Sequence, residues 1–188
     1  NLVVFPDNHD MDRFFTQVNE DYELFEMGMA YYLTTRGIPQ LYYGTEVLMT
    51  NSSDLGDHGI IRTDFPGGWA GDPVNAMTGK GLTDEQQSAK SYLKSLLNWR
   101  KQNKAIHDGK LMQFVPVDGI YVYFRYTDLG KVMVIMNKND EAKDLKLERF
   151  QEMLGENRRS INALTKQPVL LDESLQVAGK STLILEIN

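Results

Sequence analysis

No cysteine occurs among the 188 residues. Disulfides, thiol nucleophiles and Cys-ligated metal sites are therefore excluded, and the compartment stays open, because a chain without thiols suits oxidising and reducing surroundings alike. Nor does any apolar run approach the roughly 18 residues that a membrane-spanning helix requires. Positive charge is scarce as well: 20 Lys plus Arg stand against 26 Asp plus Glu, a formal charge of −6. The acidic excess lies in residues 1–108, with 9 basic and 15 acidic groups, whereas residues 109–188 carry 11 of each. Nucleic-acid binding through phosphate neutralisation needs a basic stripe, which this distribution does not supply. Internal repeats and low-complexity tracts are also missing. What remains, 41% apolar and 10% aromatic residues, is ordinary for a globular chain of one domain or two small ones.

The first residues read as an interior strand. Asn1 is followed at once by Leu2-Val3-Val4-Phe5, a continuous apolar run of the type buried on both faces of a parallel sheet. With no initiator Met, signal peptide or polar lead-in, the expectation is the C-terminal piece of a longer polypeptide. A polar loop from Pro6 to Asn19 follows, then a helix at about 20–36 with Tyr22, Phe25, Met29 and Leu33 at helical spacing, ended by Gly37. A second strand is expected over Ile38–Tyr43, which makes a β-α-β unit with parallel strands and a right-handed crossover. Residues 44–83 form an irregular excursion too long for a mere connector. Thr83-Asp84-Glu85-Gln86 has capping-box form and opens a helix to about Asn103, with Ala89, Tyr92, Leu93, Leu96 and Trp99 inward and Lys90, Lys94 and Lys101 toward water.

From about residue 109 the period changes to two. Lys110–Val117, Ile120–Tyr126 and Lys131–Asn137 read as an antiparallel meander with turns at Asp118-Gly119 and Thr127–Gly130. Residues 145–150 and 160–164 add strands around a short helical turn near 150–154, and Ser181–Ile187 closes the chain with Leu183, Leu185 and Ile187 inward. The expected division is thus a β/α segment over 1–108 and an all-β module over 109–188.

The densest chemistry is Phe5-Pro6-Asp7-Asn8-His9-Asp10-Met11-Asp12-Arg13. It places an imidazole, an amide, carboxylates and a guanidinium just past the C-terminal end of a parallel strand, where α/β folds bind ligands. The next strand ends in Tyr42-Tyr43-Gly44-Thr45-Glu46 on the same rim. A polar, acidic, aromatic-lined cleft fits an uncharged, hydroxyl-rich ligand better than an anion.

At these residues the sequence resembles the alpha-amylase superfamily of glycoside hydrolases. Phe5-Pro6-Asp7-Asn8-His9-Asp10 is similar to the motif ending the seventh strand of that family's (β/α)8 barrel, and Gly37–Glu46 to the eighth-strand motif. Ile61-Arg62-Thr63-Asp64-Phe65-Pro66-Gly67-Gly68-Trp69 resembles the neopullulanase and cyclomaltodextrinase branch. The resemblance implies the last two β/α units of a TIM barrel (1–108) followed by an antiparallel C-terminal β-sandwich (109–188), in an enzyme cleaving starch, maltodextrin, pullulan or cyclodextrin with retention.

Carried over residue by residue, the resemblance makes Asp10 the carboxylate that stabilises the oxocarbenium-like transition state. It makes His9 and Asn8 sugar-binding groups and directs Arg13 to sugar further along. Trp69 either stacks on a sugar ring or pins the loop. The nucleophile and general acid belong to strands preceding Asn1, so the chain alone is expected to be inactive, its partners being an α-glucan and the N-terminal remainder of the barrel. Asp64, two residues after Arg62, imitates the family's nucleophile motif but lies in the loop. Glu46 reads as a structural acceptor, at least one of Tyr42 and Tyr43 as core packing, and His58 and His107 as ordinary polar residues. No cofactor is implied, a calcium requirement is not readable, and a periplasmic or extracellular location is favoured by analogy. Two rivals stay open: a transglycosylase of the same family, and a non-catalytic binding or structural module displaying Tyr121 and Tyr123.

Overall fold

The computed structural model describes residues 2–156 and 159–187. In chain order the elements are β1 (Val3–Val4), α1 (Phe14–Gln17), α2 (Tyr22–Thr34), β2 (Ile38–Pro39), α3 (His58–Ile61), α4 (Asp84–Gln102), α5 (Lys104–His107), β3 (Lys110–Val117), β4 (Ile120–Thr127), β5 (Gly130–Asn137), β6 (Lys143–Lys146), α6 (Gln151–Leu154), β7 (Arg159–Asn162), β8 (Pro168–Leu170), β9 (Ser174–Val177) and β10 (Ser181–Ile187). They form two compact units: the stretch to Tyr32 together with Gly37–Ser95, and Leu33–Arg36 together with the stretch from Leu96.

In the first unit β1 and β2 pair in parallel, Val3 opposite Ile38 and Val4 opposite Pro39, with α2 as the connection. Phe25 and Met29 on α2 are fully buried, as their spacing predicts. Gly37 leaves the helix with φ +140°, and a Cβ there would meet Val4 Cγ1 at 2.9 Å, so only glycine brings the chain this close to β1. Both strands are shorter than expected. In the 188-residue chain Leu2 is 69%, Val3 47% and Ile38 52% exposed, since two short strands alone cannot cover their own faces. The loop expected over Pro6–Asn19 contains α1, whose Phe14 and Phe15 are buried. The capping box at α4 forms reciprocally: Gln86 N–H donates to Thr83 Oγ1 (3.1 Å), and Thr83 N–H to Gln86 Oε1 (3.0 Å). Lys90, expected in water, is half-buried and donates Nζ to the carbonyls of Ala76 and Met77.

Residues 44–83 have a small core of their own, with Val47, Ala76 and Leu82 buried and Met49, Phe65 and Val74 packed on them. That is why so long an excursion with so little regular structure holds one shape.

The second unit is built on a six-stranded sheet in the order β3-β4-β5-β10-β7-β8, faced by the two-stranded sheet β6-β9. All its described pairings are antiparallel. Alternation on β4 sends Ile120, Val122 and Phe124 into a core shared with Met133, Ile135, Phe150, Leu185 and Ile187, against which Leu183 and Tyr126 pack. The opposite face of β4 is buried too. Tyr123 is 0% exposed, its hydroxyl 2.5 Å from Thr34 Oγ1. Tyr121 is half-buried and donates to Gln113 Oε1 (2.6 Å), its ring tilted 39° from that of Tyr123. The pair is therefore no exposed coplanar platform.

Arg125, 1% exposed, donates through NH1 to the carbonyls of Thr34 (3.1 Å) and Thr35 (2.7 Å), and through NH2 to that of Gly109 (2.9 Å). At the end of β5, Asn137 is fully buried and shares its amide hydrogens among the carbonyls of Glu141, Val177 and Ala178, while its Oδ1 accepts from Asn139.

Candidate active site

The turn after β1 is built by its own polar side chains. Asn8 Oδ1 accepts the backbone N–H of Asp10 (2.8 Å), a local side-chain-to-backbone turn. Asp7, 1% exposed, accepts the N–H of Phe14 (2.8 Å) and the hydroxyl of Thr45 (3.2 Å), tying β1 to the start of α1 and to the segment after β2. Burial pushes the Asp7 carboxyl above the usual carboxylate range, opposed by the Phe14 amide, the Thr45 hydroxyl and the Arg13 charge.

Asp12 takes the opposite course. It is half-buried, and the side chain of Asn51 (2.6 Å) and the N–H of Gly56 (2.7 Å) hold its carboxyl below the usual range.

Asp10 stands outward on this frame with its side chain 57% exposed. His9 Nε2 lies 3.1 Å from its Oδ2, and Arg62 NH2 donates to its Oδ1 at 2.8 Å. Arg62 also donates Nε to the His9 carbonyl (2.9 Å) and NH2 to His58 Nδ1 (2.7 Å). An arginine N–H can only donate, so in this contact His58 Nδ1 is the acceptor. His58, expected to be an ordinary polar residue, thus lies 3.5 Å from Asp10. An ion pair this exposed is worth under about 1 kcal/mol, so Arg62 orients Asp10 more than it stabilises the fold.

Arg13 differs from the expectation that it reaches sugar. It is 0% exposed and lies over the rings of Tyr42 (4.3 Å) and Tyr43 (4.8 Å), with NH1 donating to the Tyr43 carbonyl. In this position the guanidinium presents no surface to a ligand; it holds the tyrosine pair by cation–π attraction. The strand expected over Ile38–Tyr43 ends at Pro39, before the tyrosine pair. The Tyr43 hydroxyl donates to the Thr63 carbonyl (2.7 Å).

Residues 62–64 therefore touch three places in succession: Arg62 on Asp10, Thr63 on Tyr43, and Asp64 Oδ2 on Trp69 Nε1 (2.9 Å). Asp64 is thus engaged within the loop. Glu46 sits half-buried in a 3₁₀ turn over Thr45–Val47. Arg62 and His58 are the residues whose proximity to Asp10 sequence reasoning missed. Their signal was the four-residue spacing that puts both on one side of α3 and its C-cap. Among the described residues no group of three or more His, Asp or Glu side chains gathers as a metal site, and no helix is long and apolar enough to cross a membrane.

Comparison with known proteins fits this geometry. Residues 111–186 match the family described as the cyclo-malto-dextrinase C-terminal domain. A cyclomaltodextrin glucanotransferase of Paenibacillus macerans is 34% identical over 139 residues, which is 74% of this chain and 17% of that protein. An alpha-amylase of Niallia circulans is 33% identical over 137 residues, 73% of this chain and 22% of that protein. The chain thus spans about a fifth of the length of these relatives. In three dimensions an alpha-amylase from Geobacillus thermoleovorans, crystallised with acarbose, superposes with a TM-score of 0.77 at 22% identity, covering 100% of this chain and 39% of that one. With the rim motif, the β-rich unit and both kinds of likeness in agreement, the chain belongs to the alpha-amylase family.

Proposed function

We propose that this chain forms the C-terminal part of the catalytic (β/α)8 barrel and the β-sandwich of a retaining α-glucan hydrolase. In this reading β1 and β2 are the barrel's seventh and eighth strands, and Asp10 is the carboxylate that acts on the transition state. The observation that carries it is the Asp10 group itself: a carboxylate at the C-terminal end of a parallel strand, held by His9 and Arg62 yet more than half exposed. Glycosidic cleavage develops positive charge on the sugar ring, and a preoriented carboxylate stabilises that charge more than it stabilises the neutral substrate. His9 and Asn8 shape the turn that presents it.

The nucleophile and general acid come from the fourth and fifth strands of the intact barrel, which this sequence does not contain, so the 188-residue chain by itself turns over no maltotriose. In the polypeptide that carries the whole barrel, Asp10→Asn should lower kcat roughly 100-fold or more. KM should change by less than about threefold, because the neutral substrate keeps most of its hydroxyl contacts. A kcat within about threefold of the parent would overturn the assignment.

A second reading, transglycosylation by the same residues, is favoured by the glucanotransferase names of several relatives. Product analysis separates the two: linear maltooligosaccharides that grow shorter indicate hydrolysis, and cyclic or elongated products indicate transfer.

A further inference from the structure

Trp69 is 68% exposed. Exposure of a single apolar residue is common and carries nothing alone; what sets Trp69 apart is how the surrounding loop holds it. Its indole Nε1 donates to Asp64 Oδ2 (2.9 Å), and its backbone N–H donates to Asp72 Oδ2 (3.1 Å), which also accepts the N–H of Gly67 (2.9 Å). The turn leading to it is locked. Gly68 N–H donates to the Phe65 carbonyl (3.0 Å), and Ala76 N–H to the Pro66 carbonyl (2.9 Å). Gly67 has φ +92°, and a Cβ there would lie 2.7 Å from Asn75 Cα. Phe65 roots the segment in the loop's own core. A tryptophan that merely pinned the loop would be packed beneath it. This one has its polar edge fastened to the protein while most of its surface lies open.

We propose that Trp69 is a stacking platform for a glucose unit of an α-linked glucan, a binding position carried by the loop. The chemistry selects the ligand. An indole face is electron-rich and attracts the weakly positive C–H groups on the apolar face of a pyranose ring. The carboxylate of Asp64 retains acceptor capacity for a sugar hydroxyl beyond its bond to the indole. Asp64 on the indole edge and Asp72 on the backbone of the same turn carry negative charge that repels anions and leaves neutral polyols favoured. Because the turn is fixed before binding, little ordering entropy is spent when the sugar arrives. The preference for α-linked glucan rests on the proposed function; the platform itself rests on the geometry of the loop.

Titration of the 188-residue chain with maltoheptaose tests this directly, since Trp69 and the buried Trp99 are its two tryptophans. Tryptophan emission should change saturably, with a Kd on the order of 1 mM as befits a shallow one-ring site. Trp69→Ala should abolish the change and leave circular dichroism and melting at parental values. Asp64→Asn, which weakens the clamp on the indole, should reduce affinity roughly threefold. No change in emission up to about 20 mM maltoheptaose, a change that survives Trp69→Ala, or an equal response to cellohexaose would overturn the proposal. Binding at Trp69 together with a harmless Asp10→Asn in the whole enzyme would sink the catalytic reading alone. Absent binding together with a crippling Asp10→Asn would sink the platform alone.

Discussion

Replacing Arg125 by methionine removes a buried cation and keeps most of the side chain's length. In the native protein its guanidinium serves three backbone carbonyls, those of Thr34 and Thr35 at the C-terminal end of α2 and that of Gly109 before β3. No carboxylate is bonded to it among the described residues. The charge is held by carbonyl dipoles, two of them from a helix C-terminus where cations are favoured, and burial, with Arg100 nearby, pulls its pKa below the ordinary arginine value. Methionine would leave three acceptors without this donor, that of Thr34 buried and those of Thr35 and Gly109 half-buried. Each such loss costs about 1 kcal/mol or more, and relief of the desolvated charge returns part of the total. The expected net loss is about 2–4 kcal/mol, a large fraction of the roughly 5–15 kcal/mol that holds a domain together. Urea denaturation followed by circular dichroism reads this as a lower midpoint at unchanged slope. Arg125→Lys, which keeps the charge but cannot span all three carbonyls, should fall between the two. An Arg125→Met variant within about 0.5 kcal/mol of the parent would refute the reasoning, because it would show the three carbonyls to be satisfied without the guanidinium.

Other perturbations have defined outcomes. Phe150→Ala should cost about 3–5 kcal/mol by urea denaturation, since the ring is 1% exposed and meets Phe114 edge-on at 4.8 Å, whereas Val115→Ala at a 74% exposed site should stay within about 0.5 kcal/mol. Gly67→Ala should open the loop to limited proteolysis because backbone atoms of Asn75 block the new Cβ. Gly71→Ala, with φ +96° but nothing within 4 Å of the added methyl, should be milder. Asp12 has a folded-state pKa below its unfolded value, so its contribution is present above the unfolded pKa and is lost as pH falls through the folded one. Exchange of the Gly56 amide should accordingly quicken below about pH 4, and Asp12→Asn should flatten that dependence.

The parts of the fold that were legible in the sequence are those where one period runs unbroken. Ile120, Val122 and Phe124 alternate into the sandwich core, and Phe25 and Met29 recur on the buried side of α2, as their spacing predicts. Strands β8 and β9 were not legible, because runs of three or four residues are too short to establish a period. On the second face of β4, alternation puts Tyr121 and Tyr123 side by side, but whether that face is covered depends on the positions of Thr34 and Gln113, which no local pattern gives. Around the candidate site, the contact between His9 and Asp10 lies within one motif. The grip of Asp10 on Arg62, 52 positions away, depends on where an irregular loop returns, and no local pattern encodes that. The family resemblance directs Arg13 to ligand; the tyrosine pair that shelters it is adjacent to Arg13 in space but not in sequence.

The amide at Asn137 also bears on how the protein ages. Deamidation begins when the backbone nitrogen of the next residue attacks the asparagine side-chain carbonyl, and asparagine is among the residues most prone to thermal damage. Here the nitrogen of Lys138 is engaged with the carbonyl of Gly119 (3.0 Å), and the side-chain oxygen is held by Asn139. Attack requires both to let go. Were the amide nonetheless converted to aspartate, a group that donates to three carbonyls would become a carboxylate facing the same three oxygens with no hydrogen to offer them. The sandwich therefore keeps an amide whose loss would leave three carbonyls without a donor where the backbone geometry slows that reaction, and conversion at Asn137 waits on opening of the end of β5.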